Sequence, residues 1–146
     1  MRGNRQATDP KVDLLRRLPS LAGVRRRDLA SVAPLVEDLH VRADTTLVHE
    51  GELCHEVVLV LEGEAVVSVD GQPVGVIGAG DVVGDVAVRD QVPHATTVTA
   101  ATDLHVLVAG PESYRAFVHH PVVVRHVAVT LSDRLRRADA DRRRPV

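Results

Sequence analysis

The fold of this chain is decided by one segment, Val83-Gly84-Asp85-Val86-Ala87-Val88-Arg89-Asp90-Gln91-Val92-Pro93-His94-Ala95-Thr96-Thr97-Val98. At its start a glycine follows an apolar residue and precedes a carboxylate. Near its end a proline precedes a histidine, an alanine and two threonines. Directly before it, Gly78-Ala79-Gly80-Asp81 is typical of a turn, and Val74–Ile77 is an apolar run typical of a strand. The segment therefore lies among short strands separated by glycine-containing turns.

Short strands and turns continue on both sides of this segment, from Leu35 to Ala109. Two more strands are predicted at Val57–Leu61 and Ala65–Val69, because β-branched side chains suit a pleated, half-buried surface. Asp70-Gly71 indicates a tight hairpin after the second of them. Further turns are predicted at Glu50-Gly51-Glu52, Glu62-Gly63-Glu64 and Ala101-Thr102-Asp103. Regularly spaced short strands predict a β-sandwich or a small barrel.

Helices are predicted before the strand region. Asp9 and Pro10 are typical of a helix start, with the aspartate as N-cap and the proline at the first helical position. After a turn at 20–23, a second helix is predicted from about Arg25 to Ala33. Helices gathered outside a strand region make the fold class α+β.

Two further helices are predicted after the strands. Glu112–His119 would bury its aromatic residues, and His120-Pro121 would end it. A long C-terminal helix from Val122 to Ala138 places Val124, Val127 or Ala128, Leu131 and Leu135 on one stripe. That spacing suits pairing with another helix, so we expect a homodimer or a partner protein at helix 122–138. The predicted division is a disordered N-terminus at 1–10, one domain at 11–138 and a basic disordered tail at 139–146.

The composition limits the classes of protein that this chain can belong to. Its 146 residues suffice for one domain with a core. The single cysteine, Cys54, excludes an internal disulfide. No apolar run approaches the roughly 20 residues that span a bilayer, and the N-terminus lacks an apolar signal core. A cytoplasmic protein without a membrane segment is the expectation.

Charge is distributed unevenly along the chain, although the net charge is only −2. From Asp28 to Glu112 there are fifteen acidic residues against two arginines, Arg42 and Arg89, a balance of 2 − 15 = −13. The other sixteen basic residues lie in the two flanks. The middle of the chain should therefore repel phosphates in general, and the basic ends suit an acidic partner, unless they are only solvated helical ends.

The opening segment resembles the phosphate-binding cassette of cyclic nucleotide-binding domains, whose pattern is hydrophobic-Gly-Glu-x-Ala-Leu, a spacer, and Pro-Arg-x-Ala-Thr-Val. Asp85 stands at the position of the family's Glu, and His94 at that of its Arg. Leu47–Glu52, Val58–Glu64 and Ile77–Asp81 are similar to the family's other strand and turn elements, in the same order. The resemblance spans about Leu14 to Ala138. It implies a double-stranded β-helix, or jelly-roll barrel, with N-terminal helices and a long C-terminal helix.

The resemblance also implies a site and a ligand, cAMP or cGMP. A glycine at position 84 admits the ligand to the backbone, and the helix after it directs N–H groups at the phosphate. A carboxylate at position 85 would accept from the ribose 2′-hydroxyl, and the family's arginine at position 94 would hold the phosphate through two charge-assisted bonds. The candidate ligand-binding residues are Val83, Gly84, Asp85, Val86, Ala87, Arg89, Pro93, His94, Ala95 and Thr96.

His94 is the more serious departure from the family pattern. With an ordinary pKa near 6.5, roughly a quarter of such side chains are charged at pH 7, and none forms a guanidinium fork. Losing a bidentate ionic contact costs roughly 2–4 kcal/mol of binding free energy. Two hypotheses follow: a stand-alone sensor that binds cyclic nucleotides weakly or in an altered way, and a ligand-free scaffold for protein interactions. Arg89 could reach the phosphate instead, although a solvated surface arginine is the simpler interpretation.

Other chemistry is not indicated. The eight histidines include no His-x-His pair of the kind that metal-binding jelly rolls use, so no metal or cofactor is expected. No nucleophile with a suitably placed base occurs, and an enzyme is not expected. The family's transcription factors continue into a helix-turn-helix, whereas this chain ends at Val146, so no specific DNA binding is expected.

Overall fold

The structure, a computed structural model, describes residues 9–53, 55–84 and 92–127. Three helices are bounded there: α1 at Pro10–Arg16, α2 at Arg26–Val32 and α3 at Tyr114–His119. A fourth, α4, begins at 121 and is described as far as 127. Short 3₁₀ helices lie at Pro19–Leu21 and Ala33–Leu35. The strands are β1 Glu37–Val41, β2 Thr46–Val48, β3 Val57–Glu62, β4 Ala65–Val69, β5 Gln72–Ile77, β6 Val82–Val83, β7 Thr97–Ala100 and β8 Leu104–Ala109.

These eight strands form two four-stranded antiparallel sheets. The first has the order β1-β8-β3-β6 and the second the order β2-β7-β4-β5. The central strands β3 and β8 pair from Val57 opposite Ala109 to Glu62 opposite His105. The predicted jelly-roll fold with flanking helices is therefore confirmed, and β6, which leads into Gly84, lies at one edge of the first sheet.

Strand alternation divides the apolar side chains into two cores. Along β3, Val58 and Val60 belong to the core between the two sheets. Val57, Leu59 and Leu61 belong to the core between the first sheet and the helices. Successive side chains of a strand point to opposite faces, so the almost uninterrupted burial of this strand explains its continuous apolar sequence. The central sheet is thus fixed on both faces.

Local signals of the sequence are confirmed at the first helix and at the hairpin. Asp9 caps α1, where its carboxylate accepts a hydrogen bond from the Lys11 backbone N–H at 2.9 Å. Asp70 and Gly71 both have positive φ, 51° and 78°, as a type I′ turn requires. Tyr114, Phe117 and Val118 are buried as predicted.

Several predicted boundaries are wrong by a few residues. The segment expected as a turn at 20–23 begins with the 3₁₀ helix that starts at Pro19. The third helix starts at Tyr114 instead of Glu112, because residues 111–113 form a turn in which the N–H groups of Ser113 and Tyr114 donate to the carbonyl oxygen of Gly110. The strand expected at Val74–Ile77 begins at Gln72, because the tight turn at 70–71 lets pairing start at once.

The beginning of α4 packs into the helix-side core through Val123 and Val127. Val124, expected on the apolar stripe of this helix, is 51% exposed. The rest of the predicted stripe, Leu131 and Leu135, lies outside the described residues. Among the described residues, no helix combines the length and hydropathy that crossing a membrane requires.

Candidate functional site

The site begins where β6 ends. Val83 is buried and pairs with Val58 of β3, and Gly84 follows it with a φ of 91°. A β-carbon at position 84 would lie 2.7 Å from the backbone carbonyl oxygen of Glu56 and 3.6 Å from Cε1 of His94. Glycine is therefore needed here both for its backbone conformation and for the closeness of its neighbours.

Two backbone hydrogen bonds fix the position of His94. The N–H of Gly51 donates to the carbonyl oxygen of His94 at 2.8 Å, and the N–H of His94 donates to the carbonyl oxygen of Glu52 at 3.0 Å. A short distance further along the chain, the N–H of Glu50 donates to Oγ1 of Thr97 at 3.1 Å. The end of the cassette segment is thus attached to the turn that follows β2, and the imidazole of His94 lies against Gly84.

The imidazole of His94 is buried, with a relative exposure of 7%. Its Nε2 atom is buried and has no hydrogen-bond partner among the described residues. A buried polar atom without a partner is unusual in native proteins, and it costs free energy unless a ligand or water satisfies it. Nε2 is therefore the atom in this part of the chain that most clearly requires a partner.

Burial lowers the pKa of His94 because it disfavours the charged ring, and the nearby Glu52 carboxylate opposes this effect more weakly. The ring is accordingly neutral near pH 7. A neutral ring donates or accepts a single hydrogen bond through Nε2, depending on the tautomer. It cannot supply the charged, forked contact of a guanidinium.

The other predicted site residues differ in how they are placed. Pro93 and Ala95 are exposed and Thr96 is partly exposed, so these three lie beside His94 at the surface. Asp85, Val86, Ala87 and Arg89 lie outside the described residues, and their roles stay predictions. The structure thus brings together Val83, Gly84 and His94. The sequence did not indicate the contributions of Glu56 and Glu52, because they depend on backbone carbonyl groups and, for Glu52, on a carboxylate brought close by the fold.

Gly84, at the end of edge strand β6, and His94 thus lie side by side where the sequence predicts a nucleotide pocket. The model of the cyclic nucleotide-binding domain family matches residues 38–120, more than half of the 146-residue chain. The chain therefore belongs to the cyclic nucleotide-binding domain family.

One relative identified by sequence is the cAMP-dependent protein kinase regulatory subunit of Eremothecium gossypii. It is 33% identical over 114 residues, which are 76% of this chain and 24% of that protein. The chain thus spans about a quarter of the length of this relative.

Two solved structures illustrate the likeness in fold. The first is a triply substituted regulatory subunit of a cAMP-independent protein kinase A from Trypanosoma brucei, bound to cAMP in its A site, with a TM-score of 0.71 and 19% identity over 88% of this chain and 48% of that chain. The second is the corresponding Trypanosoma cruzi subunit bound to guanosine, with a TM-score of 0.67 and 18% identity over 83% and 44% of the two chains. At these identities the likeness establishes the fold alone.

Proposed function

We propose that this chain is a regulatory module that binds a cyclic nucleotide weakly or in an altered way, at the site formed by Val83, Gly84 and His94. The observation that carries the proposal is the buried Nε2 of His94 beside Gly84, which has no hydrogen-bond partner among residues 9–53, 55–84 and 92–127. A ligand oxygen that reached this atom would satisfy it. The backbone of Gly84, which lies close to the His94 ring, would contact the ligand from the other side.

The neutral state of His94 sets the expected strength of phosphate binding. One hydrogen bond from a neutral ring replaces two charge-assisted bonds from an arginine, which costs roughly 2–4 kcal/mol. That loss corresponds to about 30- to 1000-fold in affinity. The acidic balance of −13 between Asp28 and Glu112 disfavours an anionic ligand further. Affinity for cAMP or cGMP should therefore lie well below that of an arginine-containing cassette.

Protonation of His94 should strengthen phosphate binding. A phosphate beside the ring favours the imidazolium, so binding of the anion is linked to proton uptake. Because burial lowers the pKa of the free site, the gain appears only as the pH falls below about 6.5, the ordinary value. Affinity should then increase by up to about tenfold for each pH unit.

The relatives support a search that includes ligands without a phosphate. A Trypanosoma cruzi regulatory subunit with this fold is bound to guanosine, and a neutral nucleoside would not be repelled by the acidic middle of this chain. A Trypanosoma brucei subunit of a cAMP-independent kinase is bound to cAMP in a variant in which one of three substitutions introduces an arginine. We therefore test ligands with and without a phosphate, and a variant with an arginine at position 94.

The second candidate is a ligand-free scaffold that acts through helix α4. The observation that favours it is Val124, which is 51% exposed on the first turns of a helix whose Val123 and Val127 are buried. An apolar side chain in that position suits a second helix, from another copy of the chain or from a partner protein. Homodimerisation through 122–138 is part of this candidate.

Calorimetry with cAMP, cGMP, guanosine and a cyclic dinucleotide distinguishes the two candidates. The wild-type chain and His94→Arg are titrated at about pH 5.5 and pH 7.5, on either side of the ordinary histidine pKa. His119→Arg is the matched control, because it makes the same chemical change at an exposed position at the end of α3.

The sensor proposal expects weak wild-type binding of cAMP or cGMP that improves at the lower pH, and a gain of at least about 30-fold in His94→Arg at neutral pH. His119→Arg should bind as the wild type does. If a folded His94→Arg variant binds none of the four compounds at about 1 mM, the weak end of specific binding, the pocket does not accept nucleotides. The scaffold would then be the remaining function.

A further inference from the structure

Two histidines and an aspartate meet on the outer face of the first sheet, away from the nucleotide site. His40 of β1 lies directly opposite His105 of β8 in the antiparallel register. Their rings are stacked, with centroids 4.4 Å apart and an interplanar angle of 13°. Asp38 lies two residues before His40, on the same face of the strand. Its Oδ1 lies 2.5 Å from Nε2 of His105.

The three side chains offer a convergent set of metal-ligand atoms. One atom from each, two imidazole nitrogens and one carboxylate oxygen, lies within 4.8 Å of the other two. Around a tetrahedral ion with bonds of about 2.0–2.1 Å, ligand atoms are about 3.4 Å apart. Because the two rings are stacked and nearly parallel, one ion cannot lie in both ring planes, so one imidazole must turn out of the stack to direct a nitrogen at the ion. His40 is exposed and can make this turn about its side-chain bonds.

We propose that Asp38, His40 and His105 bind a divalent transition-metal ion of the zinc class, with a fourth position open to solvent. Two imidazoles and a carboxylate are a ligand set that Zn²⁺, Co²⁺ and Ni²⁺ prefer, whereas Mg²⁺ and Ca²⁺ favour oxygen ligands alone. The ion takes the place of the hydrogen bond between Asp38 and His105, and the second nitrogen of the His105 ring, Nδ1, then carries the ring proton.

The charges around the three ligands balance one another. A depression beside them is lined by Glu62, Asp103 and Arg42. The Arg17 guanidinium is hydrogen-bonded to the Glu62 carboxylate at 2.6 Å and offsets its charge. The affinity for a cation must therefore come from the three ligands themselves.

A metal at this position would connect an edge strand to the centre of the sheet. Within the part of the chain that the structure describes, β1 is the last strand of its sheet and pairs with β8. Asp38 and His40 lie on the edge strand, and His105 lies on the neighbouring central strand. Because the ion binds the folded arrangement and not the unfolded chain, it should raise the melting temperature in a concentration-dependent manner.

Co²⁺ is a suitable probe because its visible absorption reports the kind and number of its ligands. The untagged full chain is titrated with CoCl₂, together with Asp38→Asn, His40→Gln and His105→Gln. His49→Gln and His119→Gln are the matched controls, since both histidines are exposed and lie outside the cluster. The melting temperature of every variant is measured first without metal, so that a folding defect is recognised.

The proposal expects saturable binding of one Co²⁺ per chain in the wild type and in both controls. Each of the three cluster variants should bind at least about tenfold more weakly, because each loses a direct ligand. Zn²⁺ should raise the melting temperature of the wild type and the controls, but not that of the cluster variants, and Mg²⁺ should leave all of them unchanged.

Two results would overturn the metal site. One is an absence of saturable Co²⁺ binding up to about 1 mM, the weak limit of specific affinity. The other is equal affinity in the wild type and the three cluster variants. A thiolate-to-cobalt absorption band in such variants would assign the metal to Cys54, the chain's single cysteine, and would equally overturn the proposal.

Discussion

Replacing Gly84 with alanine should lower the free energy of unfolding by about 2–5 kcal/mol, and the structure separates two causes. The first is the backbone, because a φ of 91° costs a residue with a β-carbon about 1–2 kcal/mol. The second is space, since the new β-carbon would lie 2.7 Å from the carbonyl oxygen of Glu56. Backbone atoms cannot swing aside as a side-chain end can, and overpacking of this kind costs about 1–3 kcal/mol.

Alanine variants of three other glycines separate the backbone cost from the steric cost. Gly75 has no positive φ, and a β-carbon added there would have no neighbour within 4 Å, so alanine should be neutral or stabilising by about 0.5 kcal/mol. Gly51 has a φ of 82° in open space, so its alanine variant reports the backbone cost alone. Gly63 has a φ of 97°, and its β-carbon would meet both the Asp103 carbonyl oxygen and the Leu104 side chain. Its alanine variant should be the least stable of the four.

Urea unfolding followed by circular dichroism gives the free energies, and a thermal scan should show Gly84→Ala melting about 5–15 °C below the wild type. The expected order of stability is Gly75→Ala, Gly51→Ala, Gly84→Ala and Gly63→Ala, from highest to lowest. If Gly84→Ala loses no more stability than Gly51→Ala, the close approach of Glu56 does not exist in solution. The geometry of the proposed nucleotide site would then be wrong at Gly84.

Two further predictions concern protonation and assembly. Burial lowers the pKa of His94, so the folded state favours the neutral ring; its stabilisation is complete above about pH 6.5 and is lost as the pH falls through the folded-state pKa. The wild type should therefore lose stability relative to His94→Gln on acidification in urea titrations, and a constant difference from pH 7.5 to pH 5 would contradict this. Val124→Glu should reduce dimer formation in light scattering at tens of micromolar, without changing the melting temperature of the monomer, because Val124 is exposed. If the wild type and Val124→Glu have the same molar mass in solution, α4 does not form the dimer contact.

The features that the sequence predicted correctly depend on neighbouring residues. The cap at Asp9, the turn at Asp70 and Gly71, and the apolar face of α3 each follow from a few consecutive side chains. The strands β3, β4 and β5 were predictable because turns that contain glycine separate them. The placement of a nucleotide site at Gly84 comes from a local pattern too, and it stays a prediction.

The features that the sequence could not give depend on contacts between distant parts of the chain. The burial of His94 follows from its backbone pairing with Gly51 and Glu52, which no pattern around His94 indicates. The cluster of Asp38, His40 and His105 requires the register between β1 and β8. A search of the sequence for His-x-His motifs therefore could not detect it.

The side chain of His94, unlike its backbone, is a reason to expect a ligand. The two hydrogen bonds that hold this residue against the turn at 51–52 are made by main-chain atoms, so almost any residue could form them. The imidazole adds a buried Nε2 without a partner among the described residues, which destabilises the fold by about 1–3 kcal/mol. An apolar side chain of similar size would avoid that cost in a pure scaffold. A ligand atom at Nε2 would offset it, and we therefore place the ligand-binding function ahead of the scaffold.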